Sequence, residues 1–232
     1  MALSFSGTSD FYLTGASSSP VSAVPLTFAI WVNPGADVNA TAMAIGGSGA
    51  GTEAIALRHN VTARTGAMRF ESTVGGTDQA LTTGAMTTGS WFHLAGTGNA
   101  DPSRTAFLDG VAGTPNTAVN APVNLDQIGV GSIADNAPAS VEWNGDLYAE
   151  AIWNVELAAH EIAALAAGVS PLRVRRASLA FFTVLDTLVL TDIVGGLTFN
   201  STGGGPATGV AQDPPNFMRG ALRGRGRRTS RS

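Results

Sequence analysis

Apolar and polar residues alternate with a period of two along much of the first 150 residues, in short runs separated by Gly, Asn, Asp, Pro and Ser. That period belongs to β-strands, whose successive side chains point to opposite faces, and the spacing of the turn residues predicts an antiparallel β-sandwich. In Leu26-Thr27-Phe28-Ala29-Ile30-Trp31-Val32 the even positions Leu26, Phe28, Ile30 and Val32 share a face, with the smaller Thr27 and Ala29 opposite. The same reading gives strands at Leu3–Phe5, Ala42–Ile45, Ala54–Arg58, Ala67–Thr73, Trp91–Gly96, Thr105–Leu108, Gln127–Gly131 and Leu147–Trp153. Asp109-Gly110 directly follows Phe107-Leu108 and signals a hairpin, because Gly tolerates the positive φ of a tight turn.

One helix stands out, Glu156 to Ala167, where Leu157, Ile162 and Leu165 partly align and Gly168 supplies a stop. Beyond Pro171 the apolar stretches Leu179–Leu185, Leu188–Ile193 and Leu197–Phe199 are expected to add strands to the sandwich, being too short for a core of their own. From Asp213-Pro214-Pro215 onward nothing is periodic. The organisation expected is a sandwich body over residues 1–172, C-terminal strands packed on it over 173–212, and an extended Arg/Gly-rich arm over 213–232.

Composition narrows the class. Of 232 residues, 44% are hydrophobic and only 13% charged, which suits closely packed strands better than long helices laced with ion pairs. There is no Cys, so disulfides, thiolate metal sites and cysteine nucleophiles are excluded. The richest apolar stretch, Leu179 to Leu190, is broken by Asp186, and Met1 to Asp10 lacks a basic start followed by an apolar run. A soluble chain with no signal peptide and no membrane role is expected.

Charge is placed unevenly. All 13 basic residues are Arg; residues 1–172 hold 4 of them against 14 acids, a balance of −10, while 173–232 hold 9 against 3 acids, a balance of +6. The arm carries Arg219, Arg223, Arg225, Arg227, Arg228 and Arg231 with Gly interleaved, a composition that cannot bury a core and that suits docking along a partner. A protein surface is the preferred partner, since a body of −10 would repel a nucleic-acid duplex.

Several segments resemble, in order, those of the laminin-G-like branch of the concanavalin A-like lectins and glucanases. They are Leu3-Ser4-Phe5-Ser6-Gly7-Thr8-Ser9-Asp10-Phe11-Tyr12-Leu13, Phe28-Ala29-Ile30-Trp31-Val32-Asn33-Pro34, Ser90-Trp91-Phe92-His93-Leu94-Ala95, Leu108-Asp109-Gly110-Val111, Ile128-Gly129-Val130-Gly131, and Trp143-Asn144-Gly145-Asp146 through Ile152-Trp153 before the short helix. The stretch from Leu179-Ala180-Phe181-Phe182 through Asp192-Ile193-Val194-Gly195-Gly196-Leu197-Thr198 to Asp213-Pro214-Pro215 is similar to a segment attached to such domains in bacteriophage-encoded proteins. The resemblance implies an all-β, antiparallel two-sheet jelly-roll sandwich with one short helix and an irregular C-terminal arm. Within the family that fold serves glycan binding, glycan hydrolysis, or adhesion and assembly in particle surfaces.

Candidate chemistry is sparse. Glu142, Asp146 and Glu150 share parity on one strand, but neighbours in that trio are about 13 Å apart at the rise of a strand, against the roughly 5–10 Å a glycosidase pair needs. A solvated face is expected, and no catalytic residue. His59, His93 and His160 have no metalloprotease spacing, and His93, alternating with Trp91, is expected to be structural. Asp10, Asp37, Asp101 and Asp135 are the loop carboxylates that could hold calcium, but they do not cluster as a calcium loop does and are expected to form turns. Gly129-x-Gly131-x-x-Ala134 lacks a following helix, and Gly46-Gly47-Ser48-Gly49-Ala50-Gly51 lacks a nucleophile-elbow register, so neither is read as a site. No cofactor is expected. Trp31, Trp91, Trp143 and Trp153 fall where the family packs its core, with Trp143, beside Asn144-Gly145, the candidate for stacking on a glycan.

Two functions follow as expectations. The first is a bacteriophage virion structural protein, a capsid decoration or cement protein made in the host cytoplasm. Its jelly roll would sit on the particle surface while the arm anchors it to capsid or other virion proteins, with homo-oligomers expected. The alternative is a glycan-binding, lectin-like module of a tail fibre or adhesin.

Overall fold

The computed structural model describes residues 2–8, 10–15, 18–47, 53–60, 66–74, 77–99, 103–118, 120, 122–133, 141–202, 207–208 and 214. The arm residues Arg219, Arg223, Arg225, Arg227, Arg228 and Arg231, and the loop carboxylates Asp101 and Asp135, lie outside the described residues.

Two sheets face each other. The first holds β1 (Leu3–Ser6), β3 (Leu26–Pro34), β8 (Phe92–Gly98), β9 (Arg104–Leu108), β10 (Val111–Ala112), β12 (Asn144–Trp153), β13 (Leu179–Thr183) and β15 (Ala207–Thr208), in the order β10-β9-β8-β3-β12-β1-β15 with β13 also paired to β12. The second holds β2 (Phe11–Thr14), β4 (Ala40–Gly46), β5 (Ala54–Asn60), β6 (Ala67–Thr73), β7 (Thr77–Leu81), β11 (Gln127–Val130) and β14 (Phe199–Thr202), in the order β14-β2-β11-β4-β5-β6-β7. Every strand pairing among the described residues is antiparallel. Consecutive strands repeatedly switch sheets, as β1 to β2 and β3 to β4 do, which makes this a jelly roll rather than two stacked meanders.

The expected alternation of β3 holds on one side only. Leu26, Phe28, Ile30 and Val32 enter the core between the sheets, with Met43, Ile45, Leu57, Met68, Phe70, Leu94 and Ile152. Their neighbours Ala29 and Trp31 are also buried, because α1 (Ala159–Ala166) and the segment after it cover that sheet's outer face with Leu157, Ile162, Leu165 and Val174. A second apolar layer thus lies outside the sandwich, and Trp153, fully buried in it, donates its indole N–H to the Val174 carbonyl at 2.9 Å. The helix is shorter than the sequence pattern suggests, starting at Ala159, where the Glu161 side chain accepts from the Ala158 N–H at 2.8 Å.

Asp109 and Gly110 both take positive φ, 50° and 82°, between the paired Leu108 and Val111, forming the two-residue hairpin turn read from the sequence. The turn abuts α1, so that a Cβ on Gly110 would come within 3.0 Å of Ala163 Cα. Replacing Gly110 with alanine is expected to cost about 1–2 kcal/mol through strained φ and this close approach. An unchanged denaturant midpoint would show that the hairpin does not dock on the helix.

C-terminal to the helix, β13 pairs with β12, β14 with β2 and β15 with β1, so this stretch adds a strand to one sheet and edges to both. Leu188–Ile193 forms no strand beyond an isolated bridge between Thr191 and Thr198, and Leu188, Val189 and Ile193 are exposed. The turn is instead organised by buried Asp192, whose carboxylate accepts from the backbone N–H groups of Phe182, Val194 and Gly195.

Candidate functional site

Alternation on the second sheet sends Leu57, Met68 and Phe70 inward, which turns their sequence neighbours out. Strand register then builds two outward rows. One runs Leu13, Gly129, Ala44, Ala56, Glu71, Gln79 across six strands. The next runs Thr41, Arg58, Arg69, Leu81. Gly129, Ala44 and Ala56 in the middle of the rows are buried, with Leu13 packed against the two alanines, while long polar side chains stand at the β5–β7 end.

Those long side chains form one network. Glu71, 4% exposed, receives Arg58 Nη1 on Oε1 at 2.6 Å, and Arg69 Nε lies 2.9 Å from its Oε2. Arg69 Nη1 also donates to Gln79 Oε1 at 3.3 Å. Burial pulls the Arg69 guanidinium below its usual pKa, with Glu71 acting in the opposite sense and Arg58 adding to the depression. Among the described residues, two cations thus share the Glu71 carboxylate.

At the β7 edge the face opens into a cleft of about 370 Å³ lined by Gln79, Leu81, Thr82, Thr83, Thr114, Pro115 and Asn116. Its far wall is held by Arg104, which is buried and donates to Asn116 Oδ1 and to the carbonyls of Ala118 and Asn120 at 3.2, 3.2 and 2.7 Å. Asn116 in turn donates to the Gln79 carbonyl at 2.9 Å, closing the wall onto β7. Hydroxyls and amides facing an apolar Leu81–Pro115 pair are the groups a polyhydroxylated ligand needs. A second cleft, about 450 Å³, lies against the other sheet between β9, β10 and the start of α1, lined among others by Thr97, Phe107, Pro115, Glu156 and Arg175. The first is the stronger candidate because the charged network adjoins it.

The sequence-derived candidates fall elsewhere. Trp143 is 1% exposed, in the inter-sheet core with its ring 6.4 Å from that of His59, and so offers no face to a sugar. Trp31 and Trp153 are also buried, leaving Trp91 as the half-exposed tryptophan. The expected solvated trio is broken up as well. Glu142 joins Thr41 through a parallel backbone bridge, and the Asp146 carboxylate is held by Ser4 Oγ and by Asn33 Nδ2 at 3.1 Å. Glu150 is fully buried with neither carboxylate oxygen paired. The cause is a bulge between Tyr148 and Ala151, where Ala149 takes φ 55°; it slips the alternation and places Glu150 on the core side with Ile152. His93 is buried edge-on against Trp31, 5.3 Å between rings, and burial lowers its pKa to about 3. His59 lies 3.2 Å from Asp37, burial pulling its pKa down, whereas His160 is exposed on α1. Asp10 accepts from the Ser6 N–H at 3.2 Å, a turn-forming role. Among the described residues no three His, Asp or Glu side chains gather as metal ligands.

Sequence reasoning passed over Arg58, Arg69, Glu71, Gln79 and Arg104. A signal existed: residues 1–172 hold only four arginines, Arg58, Arg64, Arg69 and Arg104, and the three that are described all lie at this site.

A two-sheet antiparallel jelly roll with one short helix covering the first sheet defines a concanavalin A-type β-sandwich. The chain belongs to the family described as the concanavalin A-like lectin/glucanases superfamily, whose Laminin_G_3 model matches residues 6–163. No curated protein matches the sequence. Among solved structures, a native heptameric SAP-like pentraxin from Limulus polyphemus superposes with TM-score 0.59 at 14% identity, over 73% of this chain and 83% of the other. Domain 4 of AbnA, a GH43 extracellular arabinanase from Geobacillus stearothermophilus, in complex with arabinotriose, gives 0.52 at 19%, over 63% and 68%. The CBM40 of Ruminococcus gnavus IT-sialidase bound to α2,3 sialyllactose gives 0.56 at 13%, over 71% and 96%.

Proposed function

We propose that this protein is a glycan-binding module whose binding surface is the cleft at the β7 edge of the second sheet. The observation that carries the reading is the cleft itself, where the exposed Thr83 and Thr114 and the half-buried Gln79 stand around Leu81 and Pro115. Arg104 holds that wall in place, so the donors and acceptors are set before a ligand arrives. Two structural neighbours are described with oligosaccharides bound, arabinotriose and sialyllactose, which supports the same class of ligand here. The module binds without cleaving, in this reading, since Glu71 is occupied by two guanidinium groups and Glu150 is sealed in the core.

A glycan array probed with the full chain, followed by calorimetry on the hits, is expected to show binding that weakens about tenfold in Asn116→Ala, the effect of loosening a wall that Asn116 ties to Arg104 and to the Gln79 carbonyl. Absence of binding across the array would overturn the proposal. Hydrolysis of any bound polysaccharide that vanishes in Glu71→Gln would replace it with an enzyme.

The charge asymmetry supports a second reading, a bacteriophage virion component whose six arm arginines, Arg219 to Arg231, dock on the shell of the particle or on another copy. Deleting residues 213–232 and adding the shortened chain to undecorated heads tests it. Occupancy equal to that of the full chain would remove the arm from any such attachment.

A further inference from the structure

Among the described residues, the large apolar side chains left in water are unevenly placed. Val38, Val74, Val111 and Val123 stand singly, as on most protein surfaces. Leu188, Val189, Ile193 and Val194 are 50%, 78%, 47% and 40% exposed, and all belong to the loop that leads from β13 in the first sheet to β14 in the second. Its backbone is tied down at several points. The Tyr12 hydroxyl donates to the Leu188 carbonyl at 2.9 Å, the Thr187 hydroxyl to the Val189 carbonyl at 3.0 Å, and the Ile193 N–H to the Phe182 carbonyl at 2.7 Å. Leu190, in the same run, turns inward and is 2% exposed. Four apolar side chains are thus held in water by a preformed turn, a concentration typical of interaction surfaces. Beside them runs β14, the last strand of its sheet, paired among the described residues with β2 alone. Phe199-Asn200-Ser201-Thr202 has no charge, no proline and no register shift, the devices that keep a sheet edge from pairing.

We propose that the loop carrying Leu188, Val189, Ile193 and Val194, with β14 beside it, is a two-fold contact between two copies of this chain. Charge selects the occupant. Near a two-fold axis each residue faces its own copy, so any exposed charge there meets a like charge. Across residues 187–202 the one charged residue is Asp192, which is 2% exposed and spends its carboxylate on three N–H groups of its own turn. An acidic or basic partner finds no counter-charge on this surface, whereas a second copy meets apolar groups with apolar groups. The edge of β14 fits the same symmetry, because a strand running antiparallel to its own copy is related to it by a two-fold axis. The cleft at β7 lies at the opposite end of that sheet from β14, so a dimer joined here leaves both clefts open. The proposal does not rest on what those clefts bind.

The test is sedimentation velocity on the full chain over about 1–100 μM, the range in which a contact of modest area associates. A monomer–dimer equilibrium that stops at two is expected, and it should hold or tighten as salt is raised to about 1 M, since no exposed charge pair supports it. Val189→Asp is expected to weaken the dimer about tenfold or more by setting two carboxylates against each other, and Ile193→Ser to weaken it less. Both side chains are largely in water in the single chain, so the melting temperature of dilute protein should hold in each. Val111→Asp, equally exposed but on β10 at the far edge of the first sheet, should leave association unchanged. A chain that stays monomeric throughout would overturn the inference and leave the glycan-binding reading untouched. A dimer indifferent to Val189→Asp and Ile193→Ser would place the contact elsewhere and overturn it. A dimer that falls apart in high salt and is lost on deleting residues 213–232 would assign association to the arginine arm on a neighbour's acidic body, and open-ended oligomers would rule out a closed two-fold; either result overturns it as well.

Discussion

Valine in place of Gly96 is expected to lower the melting temperature by about 6–12 °C, corresponding to roughly 3 kcal/mol of overpacking in a domain of this size. Phe70, rising from β6, lies flat against β8 and is held edge-on by Phe28, with 5.7 Å between ring centroids. A Cβ on Gly96 would sit 2.2 Å from Phe70 Cδ2 and 2.4 Å from its Cγ, far inside van der Waals contact. Gly98, the next inward position on β8, leaves the same ring 3.6 Å of clearance, so the two glycines form a notch that receives Phe70. The backbone of Gly96 is not left-handed, hence any loss reports sterics alone. Two controls follow from that. Gly96→Ala should fall between wild type and valine. Phe70→Leu, destabilising alone by about 1–2 kcal/mol, should recover part of the loss in the double variant, because both changes act on one contact. Strict additivity would mean that the two sheets do not meet at this point.

How legible the fold was depended on how much of each strand's surroundings lay in its own sequence. β6 was read at its true limits, and β5, β9 and β12 within a few residues, because each has one face in the inter-sheet core and the period-two signal survives. β7 was missed. Its sequence Thr77-Asp78-Gln79-Ala80-Leu81 sends only Ala80 into the core, so it pairs with β6 through its backbone while offering almost no apolar pattern. Leu188–Ile193 fails in the other direction. It has the composition of a strand, yet it meets β13 only where the Ile193 N–H donates to the Phe182 carbonyl, and its chain is drawn into a turn by the three N–H groups converging on Asp192.

The site was less legible than the fold, for a reason the register makes plain. Arg58, Arg69 and Gln79 come from three strands, and only their pairing brings Arg58 opposite Arg69 and Glu71 opposite Gln79. Reading along the chain gives three isolated polar positions. Trp143 misled for the converse reason: Asn144-Gly145 beside it is a turn-like pair, but Gly145, at φ 121°, lets the strand continue into β12 and leaves the indole facing inward. The acidic trio could be read correctly only up to Asp146, since the slip at Ala149 has no mark in composition. Alanine is neither a turn former nor a residue that favours positive φ.

That slip leads to the prediction with the clearest pH signature: Glu150→Leu is expected to stabilise the protein by about 2 kcal/mol at pH 7, where the wild type must either desolvate an unpaired carboxylate or hold its proton. Glu150 is fully buried, both oxygens lack partners, and burial raises its pKa well above the usual carboxylate value. The folded form therefore binds a proton that the unfolded chain releases near pH 4.5. Below that pH both forms are protonated and the group costs only its buried hydroxyl. Above it the unfolded chain ionises first, so stability falls as pH rises, until the folded carboxylate ionises too. His93 acts in the opposite direction, because its folded pKa of about 3 makes stability fall as pH drops below the ordinary histidine value. The two trends partly cancel in the wild-type profile, which is why the measurement must be the difference between variant and wild type, in which His93 drops out. That difference should be largest at neutral pH and shrink steadily as the pH is lowered to 4. A leucine variant less stable than wild type at pH 7, or a difference that does not change with pH, would show that Glu150 is paired in the folded protein and that the bulge in β12 exists to reach that partner.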